Sequence, residues 1–95
     1  LRARRQAAKS PEIEALERRL REQPDNGDLV LELAGQYRAE RHYEAALDLL
    51  LGLLKRDREF GAGAARKAFL DTLAALGKGD PMAVRFQRQF FNLLY

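Results

Sequence analysis

Few side chains in this sequence are suited to covalent chemistry. It holds one histidine, His42, and no cysteine. Thiolate nucleophiles, disulfides and thiolate metal sites are thereby excluded within these residues. Ser10 and Thr72 are the only hydroxyl residues besides the tyrosines. A general base needs a nucleophile in hydrogen-bond reach, and no motif pairs His42 with either hydroxyl. His42 sits beside Tyr43 at an expected turn and reads as a solvated turn residue. A lone histidine without several carboxylate helpers builds no metal centre. The expectation is of no catalytic residue, no metal, no cofactor and therefore no enzyme.

The charged residues offer two further chemistries. Gly61-Ala62-Gly63 precedes a helix and has Arg66 and Lys67 close behind, which is how an anion site at a helix N-terminus begins. No phosphate-binding motif completes it, so a flexible connector is expected, with Arg66 and Lys67 paired to Asp57, Glu59 or Asp71. The second chemistry is nucleic-acid binding through Arg2, Arg4, Arg5 and Lys9. The basic run does not continue. Glu12, Glu14 and Glu17 alternate with Arg18, Arg19 and Arg21, a solvated helix face with pairs such as Glu14–Arg18 and Glu17–Arg21. With a net charge of only +3, no nucleic-acid partner is expected. No apolar run approaches the roughly 20 residues that span a bilayer, so no membrane partner is expected either.

What remains is a set of helices. Ser10-Pro11 is a cap followed by a proline at the first helical position. Ile13, Leu16 and Leu20 then mark one buried stripe, and Pro24-Asp25-Asn26-Gly27 ends it. Asp28 is expected to open a second helix with Val30, Leu33, Ala34 and Tyr37 inward. A turn at Arg41-His42-Tyr43 leads to a third, with Ala46, Leu47, Leu50, Leu51 and Leu54 inward, reaching about Arg58. Gly52 within it suggests a close helix contact. A fourth helix runs from about Ala64 to Leu76 and is stopped by Gly77. Asp80-Pro81 starts a fifth, which reaches the C-terminus.

Helix pairs of this size invite a search for a period near 34 residues. Val30, Leu33, Ala34, Tyr37, Tyr43 and Ala46 match, in order, the large, small and aromatic positions of a tetratricopeptide repeat. The repeat is degenerate: Arg41 replaces the usual glycine and Arg58 the late proline. The fold expected is all-α, with tetratricopeptide-like helical hairpins stacked in a short right-handed solenoid of about five helices. Residues 1–9 would be a leftover helix or linker, 10–59 the second helix of one repeat plus one degenerate repeat, and 60–95 a closing helical hairpin. A chain that opens at Leu1 without a methionine reads as a piece of a longer protein.

The chain also resembles a more specific family. Ser10-Pro11-Glu12-Ile13, Pro24-Asp25-Asn26, Tyr43-Glu44-Ala45-Ala46-Leu47, Ala65-Arg66-Lys67, Leu76-Gly77-Lys78-Gly79-Asp80-Pro81 and Leu93-Leu94-Tyr95 are similar to the C-terminal region of the bacterial thioredoxin-domain co-chaperones called YbbN or CnoX. The resemblance covers nearly all of residues 10–95. It implies a cytoplasmic holdase in which a thioredoxin-like domain precedes a tetratricopeptide region. Such proteins hold unfolded clients and pass them to chaperone machines, including the GroEL chaperonin, and their C-terminal helix is implicated in docking. Thioredoxin redox activity does not carry over to these residues.

Two surfaces are candidate partner sites. On a helical wheel at about 100° per residue, Met82, Phe86, Phe90, Leu93 and Leu94 share one face of the last helix. Val84, Phe91 and Tyr95 fall nearly opposite, with Arg85 and Arg88 between. The terminal helix of a solenoid needs only one apolar face. The second stripe is thus either a docking site for a chaperonin or packing against the helix from Ala64. The other surface is a groove containing Leu31, Arg38 and Ala39, suited to an extended client or simply solvated. Leu31 and Gly35 stand where carboxylate-clamp domains carry polar residues, which argues against such a clamp. The alternative function is a structural scaffold or self-association module that orients an absent thioredoxin-like domain.

Overall fold

A computed structural model describes residues 8–95. Five α-helices follow one another: α1 (Pro11–Glu22), α2 (Gly27–Ala39), α3 (Tyr43–Arg56), α4 (Ala64–Leu76) and α5 (Pro81–Leu94), with one turn of 3₁₀ helix at Phe60–Gly63. The architecture is the expected all-α, tetratricopeptide-like one. Residues 1–7 of the expected leftover helix lie outside the described residues, and Ala8 to Ser10 are not helical.

Side-chain caps fix where the helices begin. The Ser10 hydroxyl accepts the Ile13 N–H at 3.1 Å, and Pro11 occupies the position whose own N–H would be unsatisfied. Asp80 repeats this arrangement, its carboxylate accepting from Met82 N–H at 2.8 Å and Ala83 N–H at 3.3 Å. The second helix starts one residue earlier than the sequence suggests. Asn26 is its cap, accepting the Leu29 N–H at 3.1 Å, and Asp28 falls in the first turn, where a carboxylate meets the positive helix end. The third helix stops at Arg56 rather than near Arg58, because Asp57 is already extended.

The connections between helices are tight. Arg41 takes a left-handed conformation, φ 68°, so the backbone shape that favours glycine is kept although the glycine is absent. The expected flexible connector is instead a compact turn. Gly61, Ala62 and Gly63 are successive left-handed residues, and Gly63 N–H reaches back to the Glu59 carbonyl at 3.3 Å.

Short turns place α2 antiparallel to α1 and α3, so α1 and α3 run in the same direction. The α carbons extend over 44 × 35 × 16 Å. A thickness of 16 Å holds two layers of helices whose axes lie about 8–10 Å apart. The interior has two parts. Ile13 and Leu16 of α1 meet Leu29, Leu33 and Tyr37 of α2 and Ala46 of α3. The larger cluster joins α2 through α5, with Leu47, Leu50, Leu54, Phe69, Phe86 and Phe90 at its centre. Ala34 and Ala46, 3% and 0% exposed, are the small residues that let α2 and α3 approach.

Gly52 does not mark a close contact. A Cβ placed there would meet nothing within 4 Å. The close approach is at Gly27, where a Cβ would lie 2.3 Å from the Phe60 ring.

Candidate partner-binding surfaces

Phe69 of α4 is fully buried, stacked on Phe90 with centroids 5.0 Å apart and edge-on to Phe86 at 6.5 Å. These three rings fix the rotation of α5 about its axis. Burying each is worth roughly 1.5–3 kcal/mol, which is ample to hold one face inward. The other face is then dictated by geometry. Val84 is 43% exposed, Phe91 48% and Tyr95 98%. About half of Phe91 and nearly all of Tyr95 is therefore uncovered. They form an apolar stripe at the end of the solenoid, with Arg88 exposed beside them.

Arg85 departs from the expected group. Its guanidinium pairs with Glu44 of α3 at 3.0 Å and lies 5.0 Å from the Phe86 ring centroid. It fastens α5 to α3 instead of flanking the stripe. Sequence reading also missed Leu70, which is 44% exposed. Leu70 and Val84 share an open cleft of about 420 Å³ between α4 and α5. The missed signal was the position of Leu70 one residue after Phe69, turned away from the core that Phe69 enters.

The groove between α2 and α4 holds Leu31, Gly35 and Arg38, with Ala64 and Ala68 opposite, and encloses about 200 Å³. Ala39 is exposed but does not line it. The groove offers no unpaired hydroxyl, because Thr72 donates to the Ala68 carbonyl at 2.7 Å.

At the start of α4 both cations have carboxylate partners, although Arg66 Nε is buried without a hydrogen-bond partner. Arg66 pairs with Glu59 at 2.7 Å and Lys67 with Asp71 at 3.0 Å, the partners expected. His42 is not a free turn residue. Its ring lies edge-on to Tyr37 at 6.2 Å and its Nε2 is buried without a hydrogen-bond partner. Neither hydroxyl residue reaches it: Thr72 bonds within α4, and Ser10 donates to Glu40 at 2.6 Å. Among the described residues no cluster of three metal-ligating side chains occurs. No described helix is long and apolar enough to cross a membrane.

A polar network pins α1 to α2. The Tyr37 hydroxyl donates to Glu17, and Lys9 pairs with Glu17 at 2.8 Å. Glu17 therefore faces Lys9 and Tyr37 rather than forming the expected pair with Arg21. Burial tends to raise the Glu17 pKa, but hydrogen bonds from Lys9 and Tyr37, with the charges of Lys9 and Arg21, hold it below the ordinary carboxylate value. Burial and the adjacent carboxylate push Tyr37 well up. Hydrogen bonds from Ser10 and Gln36 hold Glu40 below its ordinary value.

The family model for the tetratricopeptide repeat matches residues 6–95. An uncharacterized protein of Haemophilus influenzae is 37% identical over 90 residues, covering 95% of this chain and 41% of that protein. The crystal structure of a domain of protein VP0806, of unknown function, from Vibrio parahaemolyticus superposes with a TM-score of 0.85 at 41% identity, covering 92% of this chain and 51% of that one. This chain thus spans about half or less of either relative's length, and neither name states a partner or an activity. A match across nearly the whole sequence, on helices of this order and packing, means that the chain belongs to the tetratricopeptide repeat family, whose domains generally mediate protein–protein interactions.

Proposed function

We propose that this chain is the partner-docking module of a thioredoxin-like, cytoplasmic holdase, and that its last helix binds a chaperonin while other surfaces or another domain hold the unfolded client. The observation that carries the docking surface is the exposed stripe of Val84, Phe91 and Tyr95 on a helix whose opposite face is locked by Phe86 and Phe90. Exposed apolar side chains gathered on one helix face around an arginine support an interaction surface, since aromatic and arginine side chains carry much of the energy at such surfaces. Arg88 belongs to this site. Arg85 contributes by holding α5 in register through Glu44. The choice of a chaperonin rests on the sequence resemblance of residues 10–95 to the YbbN/CnoX co-chaperones. The Leu31–Arg38 groove is proposed as an accessory surface for an extended client.

The test is binding of the chain to purified GroEL-type chaperonin, with Phe91→Ala/Tyr95→Ala as the comparison. Truncation after Arg88 is a poor control, because it removes buried Phe90. The reading expects wild-type binding and a loss of at least tenfold in the double variant. Equal binding by both would move the docking site off α5. If wild type binds no chaperonin but forms a dimer that the double variant does not, the stripe serves self-association and the scaffold function takes its place.

A further inference from the structure

A cleft lies on the face formed by α1 and α3, away from both the α5 stripe and the α2–α4 groove. It encloses about 520 Å³, within the roughly 300–1,000 Å³ typical of ligand clefts. Its floor is Val30 and Leu33 of α2, and its walls carry partly buried Leu20 of α1 and Leu49 of α3. Gly52 lies on the α3 wall of the cleft, where an added Cβ would meet nothing within 4 Å. Placing glycine in the middle of a helix is unfavourable relative to other residues, and no neighbour here requires the missing Cβ.

The two ends of the cleft differ in charge. At the end near the start of α1, Lys9 and Glu17 neutralise one another and Tyr37 donates to the same carboxylate. At the other end stand Arg21, in the last turn of α1, and Arg56, the last residue of α3. Because α1 and α3 run in the same direction, these two arginines face the same end from opposite walls. Neither has a carboxylate within 4.0 Å among the described residues, and the one other acid at the cleft, Asp48, is likewise unpaired there.

We propose that this cleft binds a short apolar segment of a partner polypeptide that carries a carboxylate, the apolar side chains lying on Leu20, Leu33 and Leu49 and the carboxylate meeting Arg21 and Arg56. The charges select this occupant. A guanidinium pair suits a carboxylate, to which arginine donates in a fork. The site is independent of the proposed chaperonin docking, since it shares no residue with the α5 stripe.

The test is an NMR titration of the full 95-residue chain with the acetylated, amidated peptide Gly-Leu-Leu-Glu-Leu-Gly and its lysine counterpart Gly-Leu-Leu-Lys-Leu-Gly. The glutamate peptide is expected to shift the amides of Leu20, Leu49 and Gly52 and to bind at least fivefold tighter than the lysine peptide. Gly52→Leu, whose Cβ would meet nothing within 4 Å, should abolish those shifts while keeping or raising Tm, so lost binding cannot be blamed on unfolding. Arg21→Gln/Arg56→Gln should weaken the glutamate peptide at least fivefold and leave the lysine peptide no weaker. Shifts confined to α4, α5 or the α2–α4 groove, binding unaffected by Gly52→Leu, or no shift at millimolar peptide would each overturn the proposal.

Discussion

Phe90 and Phe91 are neighbours in sequence, yet their replacement by alanine should have opposite consequences. Phe90 is 3% exposed and stacked on Phe69 at 5.0 Å between centroids. Truncating a buried phenylalanine costs about 3–5 kcal/mol, a large share of the 5–15 kcal/mol that holds a typical domain together. In a chain of this length each kcal/mol moves Tm by about 4–8 °C, so Phe90→Ala should lower Tm by roughly 12–40 °C. Phe91 is 48% exposed. Half of a phenylalanine's burial is worth about 1 kcal/mol, and the better helix propensity of alanine returns about 0.5 kcal/mol. Phe91→Ala should therefore stay within about 1 kcal/mol of wild type. Urea denaturation followed by circular dichroism measures both variants in one experiment. If Phe91→Ala costs as much as Phe90→Ala, the stripe is part of the core and the argument for a docking face collapses. If the large gap appears, any loss of partner binding in Phe91→Ala reports the interface and not the fold.

Two other expectations concern the joints of the solenoid. Gly27→Ala would push a methyl to 2.3 Å from the Phe60 ring and should cost about 1–3 kcal/mol; combined with Phe60→Ala, a double-mutant cycle should show at least about 1 kcal/mol of coupling, whereas additive effects would mean that the ring simply swings aside. Glu17 ionises more readily in the fold than its ordinary value allows, so its contribution is full above the unfolded pKa of about 4.3 and is lost as pH falls through the lower folded value. The advantage of wild type over Glu17→Gln, on the order of 0.5–1 kcal/mol with Lys9 half exposed, should thus hold from pH 7 to 5 and shrink below about pH 4; a gap that does not change with pH would show that the carboxylate's charge adds nothing.

The starts of α1 and α5 were legible because each carries its own capping chemistry. Ser10-Pro11 and Asp80-Pro81 announce caps that the structure realises atom for atom. The α5 stripe was legible as a pattern but not as a site, since a wheel gives two apolar faces and cannot say which neighbour covers which. The answer came from Phe69, whose ring meets Phe86 and Phe90 from another helix. Contacts between elements distant in sequence were hidden for the same reason. Arg85 turns to Glu44, forty-one residues away, and Glu17 prefers Tyr37, twenty residues away, over the local partner that helical spacing offers. Gly52 was misread because a glycine in a helix signals either a close approach or an empty space, and only the neighbouring helix decides between them.

The interior divides into an α1–α2–α3 cluster and a larger α2–α5 cluster, and partly buried Leu20 and Leu49 are the side chains packed against both. α2 and α3 lend buried side chains to both clusters, whereas those of α1 lie only in the first and those of α5 only in the second. The two ends should open in separate steps in native-state hydrogen exchange. Occupants at opposite ends would then change each other's affinity very little. Under the function proposed above, such a domain would hold its partners side by side, each bound on its own terms.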